Sequence, residues 1–228
     1  MSNDPESPSV RALRRRWKPR KEQLAESGKS ADLGIRLHRA WSWMARIEQL
    51  GESKLVNDDD RLIYSWIALN SLYGRWDSKK REPMPDWKTL TDFTSLLFRL
   101  DQDKTLESLL IEHKKLVASL LEDAYLSQYF WEEPSERRAR QAQNSSRRMG
   151  GMYIEKRFPM VLDEALKRVY LARCQLVHGA ATYKGQLNRT ALRRCARFLA
   201  LLLPAASLIL IDHAPDEGWG DMCYPPMS

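Results

Sequence analysis

The sequence predicts an all-α protein, an antiparallel helical bundle carrying a basic N-terminal extension. Three observations lead there. Apolar residues recur at intervals of three and four over most of the chain. No alternation of apolar and polar residues runs for more than a few positions, so strands are not expected. Two stretches, 62–73 and 198–211, are apolar nearly all round, the pattern of central, buried helices. The 228 residues suit one large domain or one domain with tails, and a 43% hydrophobic content excludes global disorder. No repeat with a period of about 20–50 residues marks a solenoid.

Residues 1–30 read as a flexible tail, with Pro5, Pro8 and Pro19 and a basic cluster of Arg11, Arg14, Arg15, Arg16, Lys18, Arg20 and Lys21 around Trp17. It is either a solvated, partly helical extension or a nucleic-acid contact in which the cations hold phosphates and Trp17 stacks on a base. A helical domain is predicted over 31–213. Leu33, Leu37, Trp41, Met44 and Ile47 mark an amphipathic helix that Gly51 can stop. The run Asn57, Asp58, Asp59, Asp60 supplies capping carboxyls for the next helix, which is apolar on every side from Leu62 to Tyr73. Asn70 is its polar exception and needs a hydrogen-bond partner. Gly74 ends that helix, and Pro83 and Pro85 mark a loop.

A short helix is predicted over 86–100 and a long one from 104 to about 130. The long helix carries His113 on its apolar stripe, where it reads as a core histidine. Residues 132–152 read as a mobile, arginine-rich loop: Pro134 interrupts the pattern, and Ser145, Ser146, Gly150 and Gly151 sit among Arg137, Arg138, Arg140, Arg147 and Arg148. That loop is either solvated or an RNA contact. Helices are predicted over 159–177 and 188–212, the second kinked at Pro204. The tail 214–228, with Trp219, Tyr224, Pro225 and Pro226, is expected to pack as an irregular strap.

Composition narrows the setting. Lys and Arg number 37 against 30 Asp and Glu, and the formal charge of +7 permits a polyanionic partner without naming one. The three cysteines form no C-x-x-C pair and the four histidines are scattered, so neither a metal centre nor a cofactor is expected. An odd cysteine count without a secretory signal points to a reducing cytoplasm. The longest apolar run falls short of the ~20 residues of a membrane span, so no membrane is expected.

One charge is out of place. With Leu162 at zero on a helical wheel, Leu166 falls at about 40°, Val169 at about 340° and Leu176 at about 320°. Arg173 falls at about 20°, in the middle of that apolar stripe. A lone guanidinium there calls for a partner or a wet cleft. His178 follows with Gly179 behind it, a good residue to end a helix, so the imidazole belongs at the helix C-terminus, where the dipole favours its protonated form. In an unbroken helix the two side chains diverge by roughly 140°. They converge only if the helix unwinds at its end or two chains share one site. The alternative is structural: Arg173 pairs with an acid such as Glu164, and His178 caps the last carbonyls.

The segment Arg173-Cys174-Gln175-Leu176-Val177-His178-Gly179 resembles the R-x4-6-H motif of the HEPN superfamily, placed late in a penultimate long helix before a final apolar one. The stretch from Arg61 to Gly74, with Trp66, Ile67, Ala68, Asn70, Leu72 and Tyr73, is similar to the second-helix pattern of Apea-like HEPN proteins. Leu37, His38, Arg39, Ala40 and Trp41 fit the helix before it, and the resemblance covers about residues 33–213. It implies a helical bundle that dimerises and a metal-independent endoribonuclease with Arg173 and His178 as catalytic residues in a cleft shared by two chains. Such proteins belong to toxin–antitoxin, anti-phage and RNA-processing systems, so an antitoxin or a defence partner is implied. Cys174 stands where active members often carry Asn, Asp or His, and reads as site support or as a small core residue. Asn70 reads as support for Arg173 or as purely structural. Lys184, Arg189 and Arg193 read as RNA-phosphate contacts or as solvated surface. Two other functions stay open at this point: a non-catalytic module that binds a nucleotide or a partner protein, and a basic adaptor that binds nucleic acid through residues 11–21.

Overall fold

The structure is a computed structural model that describes residues 7–26, 32–53, 57–186, 188–214 and 217–225. For Ser145 and Ser146 it describes the backbone alone, and Pro5, the segment 27–30 and Pro226 of the expected tails lie outside the described residues. The fold is all-α. In chain order the helices are α1 (Val10–Glu26), α2 (Asp32–Glu52), α3 (Asp58–Tyr73), α4 (Asp86–Leu100), α5 (Thr105–Glu112), α6 (Lys114–Leu121), α7 (Gln128–Glu132), α8 (Glu136–Ile154), α9 (Phe158–Val177) and α10 (Arg189–His213). Between α3 and α4 lies a small antiparallel hairpin, β1 (Trp76–Asp77) with β2 (Glu82–Pro83).

Helix α10 is the axis of the bundle and packs on α1, α3, α4, α5, α6 and α9. It is buried at every position from Leu202 to Ser207, while nearer its start Arg193, Arg197 and Ala200 leave one side exposed. By length and composition it passes the test for a membrane span, yet 72% of its most apolar window is covered by the rest of the protein. Trp41 of α2 donates its indole N–H to Ser207 Oγ (3.1 Å), which satisfies both polar groups inside the core. Helix α3 packs against both α2 and α10, as its all-round apolarity predicts. Its start is set by Asn57, whose side chain accepts the amide of Asp60 at 3.0 Å.

Five expectations are corrected. Within the N-terminal stretch, Val10–Glu26 is a docked helix and no loose tail. Val10, Leu13 and Trp17 fall on one helical face and are buried against α10 and α2, and Arg16 locks the helix to Asp212 through two hydrogen bonds (3.0 and 2.6 Å). Trp17 is 6% exposed, so base stacking is closed to it. The long helix of 104–130 is instead α5 and α6, bent at His113 (φ −101°, ψ 24°), followed by a 3₁₀ turn at Ala124–Leu126 and the short α7. The bend lets both halves lay their leucines on α10, and it leaves His113 at the joint, partly exposed. The arginine-rich stretch is helix α8, capped by Ser135 Oγ on the amide of Arg138. Its helical period rests on Ala142 and Met149, seven residues apart and buried on one face.

The buried cation of largest consequence is Arg36, 1% exposed. Its Nη1 donates to the carbonyls of Leu72 (3.3 Å) and Gly74 (2.7 Å), and its Nη2 donates to that of Trp219 (3.3 Å). The guanidinium lies 5.8 Å from the centre of the Trp219 ring. Burial pulls its pKa below the ordinary arginine value. In this way the irregular strap at 217–225 is tied to the end of α3, and a second bond ties it to β1, where Trp76 N–H donates to the Asp221 carbonyl at 2.9 Å. Arg36→Met keeps the volume and removes the donors. The expected loss is about 3 kcal/mol, from three carbonyls left short of a partner. It is read as a lower urea midpoint together with faster proteolysis of the strap, and an unchanged midpoint refutes the clamp.

Candidate active site

Arg173 projects from α9 into a half-open angle between α3 and the start of α4. Its guanidinium carbon lies 5.9 Å from the ring centres of both Trp66 and Tyr170, which themselves meet edge to face at 5.6 Å. Trp87 closes the other side of Tyr170 at 6.0 Å. Trp66 keeps its indole N–H buried without an acceptor among the described residues. The nearest polar atom recorded for Arg173 is the Cys174 sulfur, 3.8 Å from Nη1, a weak acceptor. Among the described residues no carboxylate pairs with this arginine, Glu164 included, since that carboxylate holds Lys167 at 2.5 Å. Arg173 is thus half-buried, with most of its forked donors unspent among the described residues.

Beneath it lies a polar knot that sequence reasoning found only in part. Asn70 donates to Asp86 Oδ1 (3.0 Å) and to the Tyr73 hydroxyl (3.2 Å), and that hydroxyl donates to the same carboxylate oxygen at 2.5 Å. Asn70 is thus bonded to Tyr73 and Asp86 and, among the described residues, makes no hydrogen bond to Arg173. Burial first, and then the charge and hydrogen bond of Asp86, push the Tyr73 phenol far above its ordinary range. Burial also raises the Tyr170 phenol, with Cys174 and Asp86 adding to it. Asp86 carries no motif; its sequence signal is only that of an acid opening a helix after Pro85.

His178 sits at the end of α9 and is exposed. Gly179 has φ +72°, the left-handed conformation that glycine adopts without strain. The amide of Gly179 donates to the Leu176 carbonyl (3.2 Å) and that of Ala180 to the Gln175 carbonyl (2.9 Å), the paired bonds of a Schellman ending. The amide of His178 still reaches Cys174 at 2.9 Å, so α9 does not unwind before it. Within one chain the Arg173 and His178 side chains hence leave the helix roughly 140° apart.

The three basic residues after the motif have different fates. Arg189 clasps the buried Asp59, with Nη1 2.9 Å from Oδ2 and Nη2 2.8 Å from Oδ1. Arg193 holds Asp58 at 3.1 Å. Lys184 donates its backbone amide to Asp59 (2.8 Å) and keeps its exposed ammonium 5.3 Å from the Tyr183 ring centre. The acidic first turn of α3 thus anchors the loop that follows His178, a role beyond the capping read from sequence. Two of the three cations are spent on it.

The Tyr73–Asp86 contact can be tested. Tyr73→Phe is expected to cost about 1.5–3 kcal/mol at neutral pH, the worth of a hydrogen bond to a charged group. A phenol whose folded pKa is raised stabilises the fold fully below the unfolded value of about 10, and that part is lost as pH climbs above it. The gap between wild type and variant in chemical denaturation should therefore narrow in alkali. A gap that stays constant from neutral pH into alkali sinks the assignment. Comparison of the chain with protein-family models, with curated proteins and with solved structures finds no match in any of the three.

Proposed function

We propose that this chain is a metal-independent endoribonuclease of HEPN type, built on a HEPN-like helical bundle. The observation that carries the reading is Arg173: a half-buried guanidinium near two aromatic rings, without a paired carboxylate among the described residues and still partly exposed. A structural arginine would have its donors spent, as Arg189 has on Asp59 and Arg36 on backbone carbonyls. An unspent planar fork is suited to a phosphate.

In the proposed reaction the 2′-hydroxyl of RNA attacks the adjacent phosphorus. The O2′–P bond forms and the P–O5′ bond breaks. His178 takes the 2′ proton or delivers a proton to the departing 5′ oxygen. Arg173 holds the charge that gathers on the phosphorane oxygens. The products are a 2′,3′-cyclic phosphate, or the 3′-phosphate made from it, and a 5′-hydroxyl.

Because α9 stays helical to its end, the proposal places Arg173 of one chain beside His178 of a second, in a homodimer with composite sites. Lys184 is the remaining cation for a neighbouring phosphate, since Arg189 and Arg193 are committed to Asp59 and Asp58. Cys174 touches Arg173 and acts as support. A cytoplasmic toxin or anti-phage effector, held in check by an antitoxin or another defence protein, is the biological setting that belongs to this reading.

Purified protein is incubated with single-stranded RNA in EDTA. Cleavage with cyclic-phosphate ends is expected, and single-stranded DNA should stay intact because it lacks the nucleophile. Arg173→Ala and His178→Ala should each slow single-turnover cleavage by about 10²–10⁴-fold. If wild type cuts no better than the double variant, the reading is wrong and a non-catalytic binding module takes its place.

A further inference from the structure

The cations of α1 are left unused by the proposed chemistry, and the fold gives them a fixed arrangement. With Leu13 at zero on the helical wheel, the buried residues Val10 and Trp17 lie at about 60° and 40°. Lys21, Arg14, Lys18, Arg11 and Arg15 fall at about 80°, 100°, 140°, 160° and 200°, within one arc of roughly 120°. All five are exposed. Among the described residues no carboxylate pairs with any of them, although Glu22 falls inside the same arc and offsets part of the charge. Arg16, outside the arc, is the one that bonds Asp212. From Arg11 to Lys21 the array extends about 15 Å along the axis.

We infer that this outer face of α1 is a docking surface for the sugar-phosphate backbone of a single-stranded nucleic acid; naming that strand as RNA rests on the function proposed above. Three observations select this partner. First, the positions of the cations are fixed, because Val10 and Leu13 are buried to 2% exposure or less and the Arg16–Asp212 pair fastens the helix to α10. A phosphate chain therefore meets an ordered row of donors, with no helix left to fold on binding. Second, the apolar side of the helix is spent on the bundle, so none is left to enter a bilayer, and charge alone is a weak membrane anchor. Third, Trp17 lies in the core, so the face offers charge without a stacking platform, and binding is blind to base sequence. Helix α1 packs on α10 and α2, whereas Arg173 lies among residues of α3, α4 and α9. The surface would hold the strand at a distance from the site that cuts it.

The full-length protein is titrated with a short single-stranded 2′-O-methyl RNA, which the proposed chemistry leaves uncut. With about four phosphates neutralised, affinity should fall roughly 50-fold between 50 and 200 mM salt. The fivefold variant Arg11→Gln, Arg14→Gln, Arg15→Gln, Lys18→Gln, Lys21→Gln should lose most of that affinity and flatten the log–log salt slope by about 3. A companion with Arg11, Arg14 and Arg15 each changed to Lys keeps the charge and should bind within a few-fold of wild type. Single-stranded DNA of the same sequence should bind comparably. Equal affinity and slope in the glutamine variant overturn the inference, as do loss of binding in the lysine variant, failure to bind DNA, or tighter binding to phosphatidylserine vesicles than to RNA at equal phosphate. Cleavage of ordinary RNA at saturation should be unchanged in the glutamine variant. A wild type that binds the RNA and never cuts it leaves this surface standing and removes the nuclease.

Discussion

Arg36 is a buried cation that makes no salt bridge among the described residues, and the carbonyls that accept its hydrogen bonds shape what surrounds it. Three backbone carbonyls take its protons, two of them at the end of α3, where unpaired carbonyls and the helix dipole already carry partial negative charge. The third belongs to the C-terminal strap, which is thereby fixed over the same helix end. Leu72 and Gly74 cannot shift without exposing this charge to an apolar interior. Gly74 is pinned from the other side as well, since a Cβ there would stand 3.0 Å from the Asn70 carbonyl oxygen.

From that fixed helix end the order spreads to the candidate site. Asn70 and Tyr73 lie in the last turn of α3, and together they hold Asp86 at the first residue of α4. Those bonds hold the start of α4 against α3, beside Trp87, which meets Tyr170. At the other end of α3, Asp58 and Asp59 hold the segment that follows His178. One helix therefore disciplines both ends of the R-x4-H segment, and its all-round apolar character keeps it in the middle of the bundle between α2 and α10.

Much of this was legible in the residues. The helix over 86–100, the cap at Asn57, the ending at Gly179 and the central place of the 62–73 and 198–211 stretches follow from local rules of period and capping. Arg173 was found because a charge on an apolar stripe is visible on a wheel. Arg36 and Arg168 escaped, although both are more deeply buried than Arg173. Their acceptors are backbone carbonyls of distant segments, Trp219 and Leu126 among them, and a carbonyl has no signature in sequence. Asp86 escaped for a similar reason, since only the approach of α3 to α4 gives it partners.

Contacts within a few residues set the all-α class, the stations of most helices, which helices are central, and the places of Arg173 along α9 and His178 at its end. Tertiary structure decided the rest. It turned the basic N-terminal stretch into a docked helix with a cationic outer face, and it made a helix of the arginine-rich segment through two buried residues. It spent Arg189 and Arg193 on the acids of α3 and left Arg173 without one among the described residues. Each of these depends on which distant group comes within about 3 Å, and charges and hydrogen-bonding groups are decided by such neighbours, whereas helical period is decided along the chain itself.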